Sequence, residues 1–70
     1  MPDHPELENR LKHFRTKAGL TQADLAKMAM VSRKTINTVE NSVFVPSTIL
    51  SLRLAKVLGV CVEDLFKLKG

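Results

Sequence analysis

The chain has 70 residues, a net charge of +4 and a single cysteine. This length has room for one domain, which we take as residues 1–70, and one cysteine excludes an internal disulfide. The longest uncharged run, residues 41–52, is interrupted by Pro46 and falls short of the roughly 20 apolar residues of a membrane-spanning helix. The acidic N-terminal stretch has no apolar core like that of a signal peptide, so we expect a cytoplasmic protein.

Basic side chains are concentrated in the first half of the chain, where Asp24 alone opposes them between residues 9 and 34. They are Arg10, Lys12, Arg15, Lys17, Lys27, Arg33 and Lys34. A basic segment in a small domain favours a polyanion such as nucleic acid as the partner. A solubilising surface would give the same composition, so charge alone leaves both interpretations open.

Apolar residues recur at helical spacing throughout, which predicts an all-α fold. The first helix carries an apolar stripe at positions 7, 11, 14 and 18. We expect a capping box of Asp3 and Glu6 at its start, and Gly19 at its end.

Two short helices are predicted next, with only residues 30–31 between them. Thr21 and Asp24 fit a capping box at the start of the second helix, and Ser32 is a good N-cap for a third helix over residues 32–40. Two short helices joined by a tight turn are typical of a helix-turn-helix, although any helical bundle contains corners of this kind.

The last part of the chain predicts a loop and two further helices. The loop covers residues 41–46, because Pro46 holds the preceding residue in extended geometry. The fourth helix begins at residue 47 or 48 and ends at Gly59. A short fifth helix runs from Val62 to about Leu68, with acidic residues in its first turn.

The order of residues across this pattern resembles the Cro- and lambda-repressor-like family of helix-turn-helix regulators, also called the xenobiotic-response-element family. The resemblance is carried by Leu20-Thr21-Gln22-Ala23-Asp24-Leu25-Ala26, Val31-Ser32-Arg33-Lys34-Thr35-Ile36 and Val39-Glu40-Asn41. It continues to Glu63-Asp64-Leu65-Phe66 and so covers about residues 7–67. It implies a compact five-helix DNA-binding domain that places the helix 32–40 in the major groove.

A helical wheel of the third helix puts Ile36, Val39 and Glu40 on one side and several polar side chains on the other. With Arg33 added from the resemblance, the expected base contacts are Arg33, Lys34, Asn37 and Thr38. Lysine and arginine favour guanine, and asparagine favours adenine. An ordinary solvated face is the alternative interpretation of these residues.

The resemblance also implies contacts that do not read bases. The expected phosphate contacts are Thr21, Gln22, Ser32 and Asn41. Helix capping by Thr21 and a turn role for Asn41 are alternatives. A partly buried ion pair between Arg15 and Glu40 is expected to tie the first helix to the third.

The chain departs from the family pattern at two places. Met30 stands where the turn usually has glycine. If this residue is left-handed it costs about 1–2 kcal/mol, and otherwise the turn is reshaped. Ser42 and Val43 replace a glycine and a basic residue, so one basic phosphate contact is lost and the loop 43–45 is unusually apolar.

These features together predict a sequence-specific regulator of transcription that binds double-stranded DNA, a repressor that binds a palindromic operator as a homodimer. The expected dimer interface is Val62, Leu65, Phe66 and Leu68, with the loop 43–45 as an addition. A role in the core is the alternative interpretation of these residues, above all of Leu65 and Phe66. The alternatives are a protein-interaction module of the same fold, antitoxin-like or a co-activator bridge, and a non-specific DNA binder.

No residues of the sequence assemble a base beside a nucleophile, so we expect no enzyme. His4 and His13 lack acidic companions at ligand spacing, and one cysteine with two histidines does not suit a four-ligand zinc site. We expect Cys61 to be a partly buried, inert thiol, and we expect no metal and no cofactor.

Overall fold

The computed structural model describes residues 7–69, and within this part the chain forms five helices and two short strands. In chain order these are β1 Leu7–Asn9, α1 Leu11–Lys17, α2 Gln22–Ala29, α3 Arg33–Glu40, α4 Thr48–Leu58, α5 Val62–Leu65 and β2 Phe66–Leu68. The predicted helical fold class and the tight turn between α2 and α3 are confirmed. No helix within residues 7–69 is both long and apolar enough to cross a bilayer.

Local capping explains where the middle helices begin. The Thr21 hydroxyl accepts a hydrogen bond from the Asp24 amide at 3.0 Å, and the Asp24 carboxylate accepts one from the Thr21 amide. Ser32 and Ser47 cap α3 and α4 in the same way, each through its hydroxyl. Side-chain oxygens of this kind satisfy amides that have no partner inside the helix, so these starts are encoded locally.

The two ends of the described chain differ from the helices that were predicted there. Residues Leu7–Asn9 form a strand, and the fifth helix stops at Leu65 because the chain then becomes extended. The strands pair antiparallel with Leu7 opposite Leu68 and Asn9 opposite Phe66. The expected capping box of Asp3 and Glu6 lies outside the described residues.

The hydrophobic core lies where α2 packs against both α3 and α4. Its fully buried side chains are Leu11, Leu25, Ile36, Val39, Leu54 and Leu65. Ala26 and Ala29, both buried on α2, are small enough to let the neighbouring helices approach closely. This packing buries the inner side of α3 and leaves its outer side at the surface.

The turn between α2 and α3 keeps its left-handed residue although that residue is not glycine. Met30 has φ 61° and ψ 43°, and its side chain is exposed. The Val31 amide donates to the Ala26 carbonyl at 2.9 Å, which closes the end of α2 in the manner of a Schellman motif. The turn is therefore not reshaped, and the strain of a left-handed methionine is present in the folded state.

Candidate nucleic-acid interface

Helix α3 presents a polar and basic surface opposite its buried side. Ile36 and Val39 are fully buried, whereas Arg33, Lys34 and Asn37 are exposed and line one shallow depression of about 230 Å³. The first turn of α3 contains no acidic residue. Three of the four expected base-contacting side chains thus lie together on one accessible face.

The fourth, Thr38, is half-buried. Its hydroxyl donates to the Thr35 carbonyl at 3.0 Å, and its own carbonyl accepts from the amides of Val43 and Phe44. Because the hydroxyl proton is already used within α3, Thr38 has only acceptor capacity to offer a ligand.

The expected phosphate contacts Thr21 and Ser32 have capping roles in the structure. Thr21 forms the capping box of α2 with Asp24, and Ser32 caps α3 while its hydroxyl lies 2.9 Å from that of Thr35. The hydrogen bonds from the Thr21 backbone and side chain lower the pKa of Asp24 below its ordinary value of 3.8. A carboxylate therefore sits at the start of α2, close to where a phosphate is expected.

Gln22, Asn37 and Asn41 form a hydrogen-bonded group along the boundary between α2 and α3. Gln22 Nε2 donates to Asn37 Oδ1 at 3.2 Å and to Glu40 Oε1 at 3.1 Å. Asn41 Nδ2 donates to the same Asn37 Oδ1 at 3.1 Å. One residue expected at a base is thereby linked to two residues expected at phosphates.

The ion pair expected between Arg15 and Glu40 is present, and little of it is accessible. Arg15 Nε lies 2.5 Å from Glu40 Oε2, and the two side chains are 11% and 2% exposed. Arg15 Nη2 donates to Glu40 Oε1, and Nη1 donates to the Leu20 carbonyl at 2.8 Å. One guanidinium thus joins α1, the segment before α2 and the end of α3.

A small apolar groove beside α3 was not anticipated as part of this face. Val43 and Phe44 line it together with Lys34, Thr35 and Thr38, and its volume is about 340 Å³. The apolar character of the loop 43–45 suggests a part in the dimer interface, but the sequence does not show that the loop lies beside α3. Apolar side chains next to positions that are expected to contact bases would suit a thymine methyl group.

The residues expected at a dimer interface lie at different depths. Leu65 is fully buried in the core, in agreement with its alternative interpretation as a core residue, and it offers no surface to an interface. Val62 and Phe66 are half-buried and pack against the core, whereas Leu68 is 77% exposed. The early end of α5 explains the difference, because Leu65 and Leu68 no longer belong to one helix.

Within residues 7–69 no group of three or more His, Cys, Asp and Glu side chains is arranged to hold a metal ion. The polar groups on the outer side of α3 are those of arginine and lysine, side-chain amides and hydroxyls. They are suited to hydrogen bonding and charge interaction with an anionic partner.

The chain matches known proteins over most of its length. A family model described as helix-turn-helix matches residues 11–65. An uncharacterized HTH-type transcriptional regulator of Methanocaldococcus jannaschii is 45% identical over 60 residues, which are 86% of this chain and 91% of that protein. The regulator YgzD of Bacillus subtilis is 32% identical over 90% of this chain and 96% of its own length.

Solved structures are similar in both sequence and fold. The restriction-modification controller protein C.AhdI from Aeromonas hydrophila has a TM-score of 0.75 and 31% identity, over 79% of this chain and 83% of its own. The P22 c2 repressor, solved in complex with a synthetic operator, has a TM-score of 0.74 and 33% identity, over 77% and 82% of the two chains. The chain therefore belongs to the Cro/C1-type helix-turn-helix family.

Proposed function

We propose that this protein represses transcription by binding a specific palindromic operator in double-stranded DNA as a homodimer, with α3 in the major groove. The observation that carries the proposal is the contrast between the two sides of α3. Its inner side is held by core packing and by the Arg15–Glu40 ion pair, whereas Arg33, Lys34 and Asn37 are accessible on the outer side. A rigid helix with a polar outer face is what major-groove reading needs.

Each site residue takes a role that follows from its chemistry. Arg33 and Lys34 donate to base-edge acceptors, and guanine offers two of them in the major groove. Asn37 and Thr38 lie one turn further along and contact adjacent bases. Asn41 through its remaining side-chain N–H and Gln22 through its backbone amide, with Thr21 and Ser32 at the helix starts, bind phosphate oxygens and fix the register of α3 on the duplex.

A second copy of the chain supplies the rest of the recognition. One helix reads too few base pairs to single out a site, and two helices related by a two-fold axis read half-sites about 34–36 Å apart. The apolar residues Val62, Phe66 and Leu68 near the end of the chain are proposed as the interface. The relatives named as transcriptional regulators and the repressor solved with its operator support this function. The cytoplasm is the location that we propose for a regulator of this kind.

The proposal is tested by selecting bound duplexes from a random pool and measuring affinity for the winner and for a scrambled duplex. We expect one palindromic sequence to emerge, bound roughly 10³-fold or more tightly than the scrambled duplex at physiological salt. Replacing Lys34 by Ala should relax the preference at one base pair, whereas losing a contact to phosphate alone should weaken binding to both duplexes alike. Weak binding without a preferred sequence would reject the proposal in favour of a protein-interaction module.

A further inference from the structure

The hydrogen bonds around Asn37 have a direction, and Glu40 determines it. Glu40 is paired with the Arg15 guanidinium through both carboxylate oxygens. A carboxylate in such a pair accepts hydrogen bonds and donates none. The atom of Gln22 that lies 3.1 Å from Glu40 Oε1 must therefore be the nitrogen Nε2, and the orientation of the Gln22 amide is fixed.

The same Gln22 nitrogen fixes Asn37 in turn. Nε2 carries two protons, and while one is donated to Glu40 the other points to Asn37 at 3.2 Å. A turned-over Asn37 amide would place its own NH₂ group against this donor, so the group facing Gln22 has to be Oδ1. Asn41 Nδ2 donates to the same oxygen at 3.1 Å, which occupies the second lone pair of Asn37 Oδ1.

The outward group of Asn37 is consequently its NH₂. Its nitrogen Nδ2 takes part in no hydrogen bond within residues 7–69, and the residue is exposed beside Arg33 and Lys34. Adenine is read by an asparagine that accepts from N6 and donates to N7 at the same time. Asn37 has its acceptor turned inward and fully used, so it lacks half of what adenine requires.

We propose that Glu40, acting through Gln22, turns Asn37 so that only N–H donors face the DNA, and that Asn37 therefore selects a base with an acceptor edge. Guanine offers N7 and O6, and thymine offers O4. This inference rests on the proposed function, and it replaces the adenine preference expected from the residue type alone. Glu40 is a positioning residue here, since its side chain lies on the inner side of α3 and touches no base.

The first test identifies the base that Asn37 faces. The affinities of the parent and of Asn37→Ala are measured for the selected operator and for each of its single-base variants. The base pair at which Asn37→Ala no longer discriminates between bases is assigned to Asn37. We expect guanine or thymine at this position in the strand that the protein reads, preferred over adenine by roughly tenfold or more. Adenine at this position, or no base pair at which Asn37→Ala relaxes the preference, would overturn the inference.

The second test changes the direction of the network. Glu40→Gln can place an NH₂ group opposite Gln22, where the parent has a carboxylate oxygen that accepts from Gln22 Nε2. The side-chain amides of Gln22 and Asn37 can then both rotate by 180°, which presents Asn37 Oδ1 to the DNA. We expect the ratio of guanine or thymine to adenine binding at the assigned pair to fall by about tenfold. A Glu40→Gln variant that is folded and keeps the parent ratio would overturn the inference.

Because Glu40→Gln also weakens the ion pair and the variant can fail to fold, Gln22→Ala provides a second measurement. It removes one of the two donors that occupy Asn37 Oδ1, and the same loss of discrimination against adenine is expected. Lys56→Ala is the control, since this exposed lysine near the end of α4 lies outside both the network and the proposed DNA-reading face, and it should leave the ratio at the Asn37 pair unchanged. Retention of the parent ratio by Gln22→Ala would contradict the inference, whereas failure to select any preferred duplex would contradict the proposed function itself.

Discussion

The side chain of Asn9 joins the N-terminal strand to the far end of α3, because its Nδ2 donates to the Val39 carbonyl at 2.5 Å. Its Oδ1 accepts from the Leu11 amide at 3.0 Å and so caps the start of α1. One side-chain amide thus joins β1 to α1, which follows it directly, and to α3, where its partner Val39 lies 30 residues away in sequence. This arrangement keeps β1 and α1 in register with the helix that carries the proposed DNA-reading face.

Asn9→Ala should lower the free energy of unfolding by about 1–3 kcal/mol, since it removes two hydrogen bonds that each contribute roughly 0.5–1.5 kcal/mol. Asn9→Asp keeps the oxygen that accepts from the Leu11 amide but places a carboxylate oxygen against the Val39 carbonyl, so it should cost at least as much as Asn9→Ala. Urea denaturation followed by helical circular dichroism measures both. The exposed neighbour is the control, and Glu8→Ala should stay within about 0.5 kcal/mol of the parent. An Asn9→Ala variant as stable as the parent would show that the Asn9 bonds contribute nothing.

Glu40→Ala should be far more damaging than loss of the other ion pair in the described residues. It leaves the Arg15 guanidinium largely buried without a carboxylate, which typically costs about 3–5 kcal/mol. The pair between Lys67 and Glu8 is 3.7 Å long and exposed, and such pairs contribute about 0–1 kcal/mol. Lys67→Ala is therefore the matched control in the same denaturation experiment. Equal effects of the two variants would mean that the Arg15–Glu40 pair behaves as a surface pair.

Met30→Gly should stabilise the protein by about 1 kcal/mol, because glycine adopts the left-handed conformation without the penalty of roughly 1–2 kcal/mol that other residues carry. The exposed methionine side chain gives up little packing. Met30→Ala removes the side chain but not the backbone strain, and it should bring no comparable gain.

The reverse change provides a second control for backbone strain. Gly59 has φ 69°, and a Cβ added there would meet nothing within 4 Å, so Gly59→Ala tests conformation without a steric clash. It should destabilise by about 1–2 kcal/mol. Thermal melts of the parent, Met30→Gly and Gly59→Ala should rank in the order Met30→Gly, parent, Gly59→Ala.

The free energy of unfolding should decrease at acidic pH, because protonation of Asp24 disrupts the capping box of α2. The pKa of Asp24 is lowered in the folded state by the hydrogen bonds from Thr21, so the unfolded chain binds this proton more readily. The contribution is complete above the ordinary pKa of 3.8 and is lost as the pH falls through the lower folded pKa. In melts between pH 7 and pH 2, the parent should lose stability relative to Asp24→Asn. Parallel curves for the two proteins would contradict this role of Asp24.

Leu68→Asp should dissociate the proposed dimer without unfolding the monomer, because the side chain is 77% exposed in β2. Sedimentation equilibrium at micromolar concentration, with and without operator, measures the change. Ile49→Asp introduces the same charge at another exposed apolar residue, 66% accessible on α4, and should leave the dimer intact. A strict monomer in both conditions, or a dimer that only Ile49→Asp breaks, would contradict an interface at the end of the chain.

The features that sequence predicted well are those with local causes. The caps at Thr21, Ser32 and Ser47 and the terminator Gly59 each act within a few residues, so the helix boundaries around them follow from short motifs. The buried side of α3 follows from the spacing of its apolar residues. The Arg15–Glu40 pair was expected only from the family resemblance, and its bonding pattern came from the structure.

The features that sequence missed depend on contacts between distant segments. Residues 7–9 continue the helical spacing of α1 and become a strand only because Phe66–Leu68 lie beside them. Asn9 has no local signal for its bond to Val39, and Phe44 has none for its place next to α3. The direction of the Asn37 amide depends on a carboxylate that is reached only through Gln22, and no helical wheel contains that information.

The pairing of β1 with β2 also has a consequence for the order in which the elements of the protein fold. Leu7 meets Leu68 only after the 60 residues between them have been synthesised, whereas α2, α3 and α4 are neighbours in sequence. Closing so long a loop costs chain entropy that the compact helices must first offset. The small sheet is therefore the last part to form and the first to open, and its amides should exchange with solvent deuterium faster than those of α2 and α3.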